Sequence, residues 1–379
     1  MPSPPEPVIA TPSAAPAPGV APTPSAAHTP QALLGRLLDR RDLTEREAGE
    51  LLELLTSDAM APAMAGALLA AVRAKGVTPA EVRGFAGAMH RLARKPAIPA
   101  SPDAIDIVGT GGDSSGSLNL STGAALLAAA CGLPVIKHGN RSVTSKSGSA
   151  DLIERLGLEL PLDEERAARC FEATGFTFLF APYFHPAMKA LAPIRAALGV
   201  RTVLNLLGPL TNPAGPRYRL IGAYDAATAE LMAHTLAGMP IERAWVVHGA
   251  AGWDEATPIG PFLAFEASHG VVRRRELDPL QLGVPSCSVA DLKGGDAEQN
   301  CAALRAVFEG RDRGPHRAAL TLQCGIALHV AGRSASVESG IAAAAAVLDS
   351  GQARDWLGRL ERFGARAAGA GASVAGGSA

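Results

Sequence analysis

Residues 105–122 read "IDIVGTGGDSSGSLNLST", and the way this stretch divides decides the fold. "IDIV" (105–108) is a short β-rich run. Gly109, Gly111 and Gly112 then permit backbone shapes and close approaches that other residues forbid. Ser121 and Thr122 stand where a helix opens, with "GAALLAAAC" behind them. Strand, glycine loop and helix in that order make one unit of a parallel sheet. Unpaired N–H groups and the helix dipole make such a loop a cradle for anions, although an ordinary strand–helix turn reads the same way at this point. Ser114 breaks the dinucleotide fingerprint, which needs glycine there, and no G-x-x-x-x-G-K-[ST] occurs.

The same grammar continues outward. Further β-rich runs are "LPVI" (133–136), "FTFLF" (176–180), "RLIGAY" (219–224) and "AWVVH" (244–248), with helical patterns such as 122–131 and 226–239 between them. This alternation predicts an α/β domain over 101–365, with a mostly parallel central sheet flanked by helices. Ligands of such sheets bind beyond the C-terminal ends of the strands. Residues 31–100 instead read as a small all-helical N-terminal domain. Leu33, Leu34, Leu37 and Leu38 form one stripe, Thr44…Glu47 is a capping box, and Thr78-Pro79 opens another helix with Glu81 in its first turn. The Pro/Ala-rich residues 1–30 and the Gly/Ala-rich residues 366–379 are expected to be disordered tails.

Composition removes several classes. The 35 Lys and Arg nearly cancel the 36 Asp and Glu, and aromatics are only 4% of the 379 residues, so neither a broad nucleic-acid surface nor a base-stacking platform is expected. Five scattered cysteines without C-x-x-C spacing fit a reducing cytoplasm. The N-terminus lacks the charges of a signal or transit peptide, and no run of about 18 apolar residues suggests a membrane span.

Any strong anion site must therefore be local, and the loops after the strands supply it. "KHGNRSVTSKSGSAD" (137–151) follows the second run and packs three fixed cations and five hydroxyls into fifteen residues. Lys137 is read as following the strand end directly, and Ser147 and Ser149 precede a second capped helix. Two such loops on adjacent strands would face each other across one crevice and suit a ligand with several phosphates. After "AWVVH", the adjacent acids Asp254 and Glu255 are either a solvated turn or a seat for a hard divalent cation that also meets phosphate. The segment 184–213 carries Arg195 and Arg201, which suit either a structural ion pair or the planar recognition of a carboxylate.

Taken together, "GTGGD" (109–113), "NLST" (119–122), "KHGNRSVTSKSGSAD" (137–151), "FHPAMK" (184–189), "LGVRTVLNLLGPLTNPA" (198–214), "WDE" (253–255) and "GGDAEQN" (294–300) resemble the anthranilate phosphoribosyltransferase family. The resemblance runs from about residue 31 to 365. It implies a helical domain to which 184–213 also contributes, and homodimers formed mainly through that domain. It implies transfer of a phosphoribosyl group from phosphoribosyl pyrophosphate (PRPP) to the amino group of anthranilate, with Mg²⁺.

Carried over residue by residue, the resemblance assigns PRPP to Gly109, Gly112, Asp113, Ser117, Asn119, Leu120, Ser121, Thr122, Lys137, His138, Gly139, Asn140, Arg141, Ser142, Val143, Thr144, Ser145 and Ser149. Anthranilate falls to Gly109, Asn140 and Arg195, metal to Ser121, Asp254 and Glu255, and catalysis to Lys137, Asn140 and Arg195. Leu118, Thr144, Trp253 and the "ATPIGPFLAFE" after the acids depart from the usual pattern, but no expected ligand is missing. The competing expectations are a pyrimidine nucleoside phosphorylase, which uses inorganic phosphate, and a noncatalytic nucleic-acid-binding relative.

Overall fold

The computed structural model describes residues 29–99, 102–113, 115–142 and 146–375, with 366–375 described by backbone alone. Val143, Thr144 and Ser145 lie outside the described residues. So do the two expected tails, apart from Thr29, Pro30 and the backbone of a last helix that runs Gln352–Ala375.

Four helices open the chain: Pro30–Leu38, Glu45–Leu55, Pro62–Lys75 and Pro79–Leu92. Both expected capping boxes are made: Thr44 Oγ1 accepts from Glu47 N at 3.3 Å, and Thr78 Oγ1 accepts from Glu81 N at the same distance. The second and fourth helices cross closely, because a Cβ at Gly84 would lie 2.0 Å from the Glu45 carbonyl oxygen. Leu33, Leu51, Leu68 and Phe85 fill the interior of this bundle. Leu191, Val203, Leu204 and Leu210 from the 184–213 segment join the same apolar cluster.

The remainder builds a seven-stranded sheet. Its strands are β1 (Ile105–Gly109), β2 (Val135–Gly139), β3 (Phe176–Phe180), β4 (Tyr218–Gly222), β5 (Arg243–His248), β6 (Phe262–Ser268) and β7 (Val271–Leu277), in spatial order β3-β2-β1-β4-β5-β6-β7. The first five of that order are parallel, and β6 and β7 add an antiparallel edge. The fold is thus the expected one, with two strands beyond those read from the sequence. Strand alternation shares the core between two faces. Ile105, Ile107, Leu220 and Trp245 belong to the cluster with helices Leu120–Ala130 and Pro315–Val330, while Ile221, Ala244, Val246 and Phe265 belong to the cluster with the bundle.

One boundary moves. The run "LPVI" was expected to end at 136, but β2 starts at Val135 and continues through Gly139, because Lys137 and His138 pair with Phe178 and Leu179 of β3. Lys137 is consequently inside the sheet rather than after it. The chain leaves β1 toward β2 on one side and returns to β4 on the other. That switch point opens a crevice at the carboxyl ends of β1 and β4.

Candidate active site

Glycines make room at that crevice. A Cβ on Gly109, the last residue of β1, would lie 2.3 Å from Asp254 Oδ2, and one on Gly222, the last of β4, would lie 1.4 Å from the Asp254 carbonyl oxygen. The loop after β5 is thereby wedged against both strand ends. Asp254 Oδ2 accepts from Gly111 N at 2.6 Å, and Glu255 Oε1 accepts from Ser121 N at 3.0 Å in the first turn of helix Leu120–Ala130. Ser117 Oγ donates to Glu255 Oε2 at 3.4 Å, and Asp254 N donates to Asp113 Oδ2 at 3.4 Å.

These acids are not a solvated turn. Asp254 and Glu255 are 7% and 9% exposed. Burial and then the charge of Asp113 push the Asp254 carboxyl up to about 7. Burial, then Asp254 and Asp113, raise Glu255 well above the carboxylate range. Lys137 lies beneath them at 1% exposure, its ammonium donating to the Ile107 carbonyl oxygen. Burial brings it down to about 8 against the pull of Asp106, Glu255 and Asp254.

One buried ammonium against this crowd of carboxyls leaves a site that a divalent cation would relieve, and the donors are the hard oxygens such an ion prefers. Ser121, Asp254 and Glu255, the expected metal residues, line one pocket. No group of three His, Cys, Asp or Glu among the described residues is arranged to hold a metal alone.

The second loop faces the first as expected. Asn119 Nδ2 donates to the Ser147 carbonyl oxygen at 3.0 Å, and Asn119 Oδ1 accepts from Ser147 Oγ at 3.1 Å and from Asn300 Nδ2 at 2.9 Å. Asn140 turns the chain into helix Ser149–Arg155, its carbonyl oxygen accepting from Ser149 Oγ at 3.1 Å and Ala150 N at 3.2 Å. Gly139 is required here, because a Cβ would lie 2.4 Å from Ser149 Oγ. Arg141 is bound by carboxylates: Nη2 donates to Glu154 Oε1 at 2.6 Å and Nη1 to Asp151 Oδ1 at 3.1 Å. Asp151 also accepts from Gly148 N at 2.8 Å and Ser142 N at 3.3 Å. Leu120 and Thr122 are buried in their helix.

His138 lies on the other face of β2 from Lys137. Its Nδ1 is 3.1 Å from the Gly208 carbonyl oxygen and so carries the proton, and its ring meets His185 edge-on at 5.0 Å. Burial holds it down to about 3. Arg195 stands exposed on helix Met188–Leu198 and is paired with no carboxylate among the described residues, which removes the structural ion pair. Arg201 instead reaches the first loop and donates to the Gly112 carbonyl oxygen.

A buried network escaped the sequence reading. Register places Asp106 beside Arg219; Asn212 Nδ2 donates to Asp106 Oδ2 at 2.9 Å and to the Ile136 carbonyl oxygen at 2.7 Å. Arg219 donates to the Leu210 carbonyl oxygen at 2.7 Å. Together they clamp the 184–213 segment onto the sheet. A charge inside each of the apolar runs "IDIV" and "RLIG" was the available signal.

Residues 101–354 match the a/b domain of the glycosyl transferase family, and residues 31–93 match its helical bundle domain. An anthranilate phosphoribosyltransferase of Methylobacterium nodulans is 46% identical over 319 residues, 84% of this chain and 94% of that protein. One of Rubrobacter xylanophilus is 44% identical over 330 residues, 87% and 96% of the two chains. The crystal structure of anthranilate phosphoribosyltransferase from Thermus thermophilus superposes with a TM-score of 0.82 at 41% identity, covering 88% of this chain and 99% of that one. The Saccharomyces cerevisiae enzyme in complex with PRPP and Mg has a TM-score of 0.80 at 26% identity, covering 90% and 99%.

Proposed function

We propose how the site works from one premise: the chain belongs to the anthranilate phosphoribosyltransferases, within the glycosyl transferase family whose helical bundle and a/b domains it carries. It transfers the phosphoribosyl group of PRPP to the amino group of anthranilate, releasing pyrophosphate, in tryptophan biosynthesis. The observation that carries the reading of the site is the buried Asp254–Glu255 pair, wedged between Gly109 and Gly222 and seated on the N–H groups of the glycine loop and its helix.

Pyrophosphate leaves the anomeric carbon as the ribose becomes oxocarbenium-like. Charge therefore accumulates on departing oxygens, and catalysis consists of neutralising and positioning them. Mg²⁺, held by Ser121, Asp254 and Glu255, supplies that neutralisation when bound. Gly112, Asp113 and Asn119 of the first loop and Asn140, Ser142 and Ser149 of the second grip the phosphates. Lys137 acts from below by setting the charge of the acid pair, which differs from the direct phosphate contact expected of a residue on the loop.

Arg195 receives the anthranilate carboxylate through its fork, and Asn140 aims the amine. The aniline nitrogen is unprotonated at neutral pH, and its lone pair bonds to the anomeric carbon as the bond to pyrophosphate breaks. The acidic ammonium that results gives its proton to water or to the departing pyrophosphate, so no strong base is needed. His138 is not one, because its ring is buried against His185 and burial holds its basicity down to about 3. Among the described residues no helix is long and apolar enough to cross a membrane. We infer a cytoplasmic homodimer.

Purified protein with anthranilate, PRPP and Mg²⁺ should consume anthranilate, read as loss of its fluorescence. Absence of turnover there, with phosphorolysis of thymidine or uridine in its place, would transfer the site to the phosphorylase reading.

A further inference from the structure

The glycine loop after β1 is pinned at three successive residues. Thr110 N donates to the Gly222 carbonyl oxygen at 2.9 Å, Gly111 N to Asp254 Oδ2 at 2.6 Å, and the Gly112 carbonyl oxygen accepts from Arg201 Nη2. The first two ties come from the sheet and the acid pair. The third comes from the other body of the protein: the Arg201 carbonyl oxygen accepts from Arg73 of helix Pro62–Lys75, and Arg201 lies six residues beyond Arg195. Its guanidinium carbon lies over the Tyr224 ring, 4.0 Å from the centroid, and Tyr224 N is tied back to Thr110 Oγ1 at 3.2 Å. Gly112 has φ +76°, and a Cβ there would meet the guanidinium at 2.6 Å.

We propose that Arg201 is a positioning residue for PRPP. A peptide unit is planar and trans, so fixing the Gly112 carbonyl on Arg201 turns the Asp113 N–H the opposite way, off the 184–213 segment and free for a pyrophosphate oxygen. The same residue holds the helical bundle, and with it Arg195, at a set distance from the cradle. Arg201 acts through the loop: its Nη2 is taken by a carbonyl and its guanidinium lies over a ring. The inference rests on the functional reading above.

The test is Mg·PRPP binding by calorimetry, alongside turnover, for wild type, Arg201→Ala and Arg201→Lys. Removing the tie should weaken PRPP about tenfold to a hundredfold, the scale of a small misplacement in a positioned site. The melting temperature should stay within a few degrees, and added methylguanidinium should restore Arg201→Ala. Lys keeps the charge without the planar fork and should not restore binding. The proposal is overturned by wild-type PRPP affinity in Arg201→Ala, by full activity in Arg201→Lys, or by a loss that tracks melting and ignores methylguanidinium. Wild type that binds PRPP and turns over beside an equally competent Arg201→Ala defeats this inference alone; wild type that does neither defeats the functional reading with it.

Discussion

The two loops of the crevice are held in opposite ways. The loop after β1 is fastened by groups far away in sequence: Asp254, Glu255, Arg201 and Leu292, whose carbonyl oxygen accepts from Leu118 N at 3.1 Å. The loop after β2 is fastened mostly to the helix that follows it. Asp151 takes Ser142 N and Gly148 N, Glu154 and Asp151 take Arg141, and Asn140 takes Ser149 and Ala150. Beyond that helix, Ser147 is tied to Asn119 and the Arg141 guanidinium lies over the Phe180 ring, 5.6 Å from its centroid. A loop anchored across the fold cannot shift without moving the sheet ends, so the first loop is the preorganised one. A loop anchored to its own helix can rearrange at little cost to the core. Electrostatic catalysis belongs on the first, where nothing has to reorganise as charge develops. On our reading the second loop adds an adjustable share of the ligand grip.

The largest test of that contrast removes the anchors of the first loop without changing their shape. Asp254→Asn with Glu255→Gln should lower kcat by about 10²–10³, the scale of losing preorganised electrostatic stabilisation, while changing PRPP affinity far less. The melting temperature should hold or rise, because neutral amides no longer suffer the burial and mutual repulsion that push Asp254 up to about 7. An unchanged kcat would remove both acids as metal residues and leave the loops equivalent.

Much of this arrangement was legible. Glycines after "IDIV", an acid pair after "AWVVH" and the rule that ligands gather at strand ends were enough to assemble the crevice from local signals. Three things were not, each for want of non-local information. Lys137 reads as a loop cation because nothing local says that β3 extends β2 past Ile136; one strand pairing put its ammonium under the acids. Arg141 reads as a phosphate cation because its neutralising partners lie ten and thirteen residues on, in what reads simply as a helix start. The Asp106–Asn212–Arg219 network depends on β1–β4 register, which one sequence does not contain.

A second, smaller effect should separate the roots of the two loops by pH. The strand that carries the second loop has His138 one residue before its end, packed against His185, and burial holds the two down to about 3 and about 4 from an ordinary 6.5. Below pH 6.5 the unfolded chain takes up protons that the native state refuses, so stability is intact above 6.5 and lost as pH falls toward 4. The loss is at most about 1.4 kcal/mol per pH unit for each histidine. Asp254 and Glu255, raised by burial, contribute with the opposite sign over the same range, so the test is a difference. From pH 7 down to 5 the melting temperature of His185→Gln, whose amide replaces the ring's contact with the Thr211 carbonyl oxygen, should rise relative to wild type. A difference that does not change with pH would mean that the His185 ring is not sealed from water.

The smallest effect belongs at the tip of the second loop. Arg141 is half exposed, and its ion pairs with Glu154 and Asp151 face solvent. Such pairs are worth about 0–1 kcal/mol once side-chain ordering and screening are counted. Arg141→Ala should therefore cost no more than about 1 kcal/mol of stability. Asp151, freed from the guanidinium, still accepts from Gly148 N and Ser142 N, so the turn survives. Hydrogen exchange should speed up in residues 140–148 and stay unchanged in 110–119, with kcat near wild type and a modest rise in KM for PRPP. If the exchange spread into 110–119 and kcat collapsed, the loops would be one cooperative unit joined through Asn119, and the division between a rigid catalytic half and a local gripping half would fail.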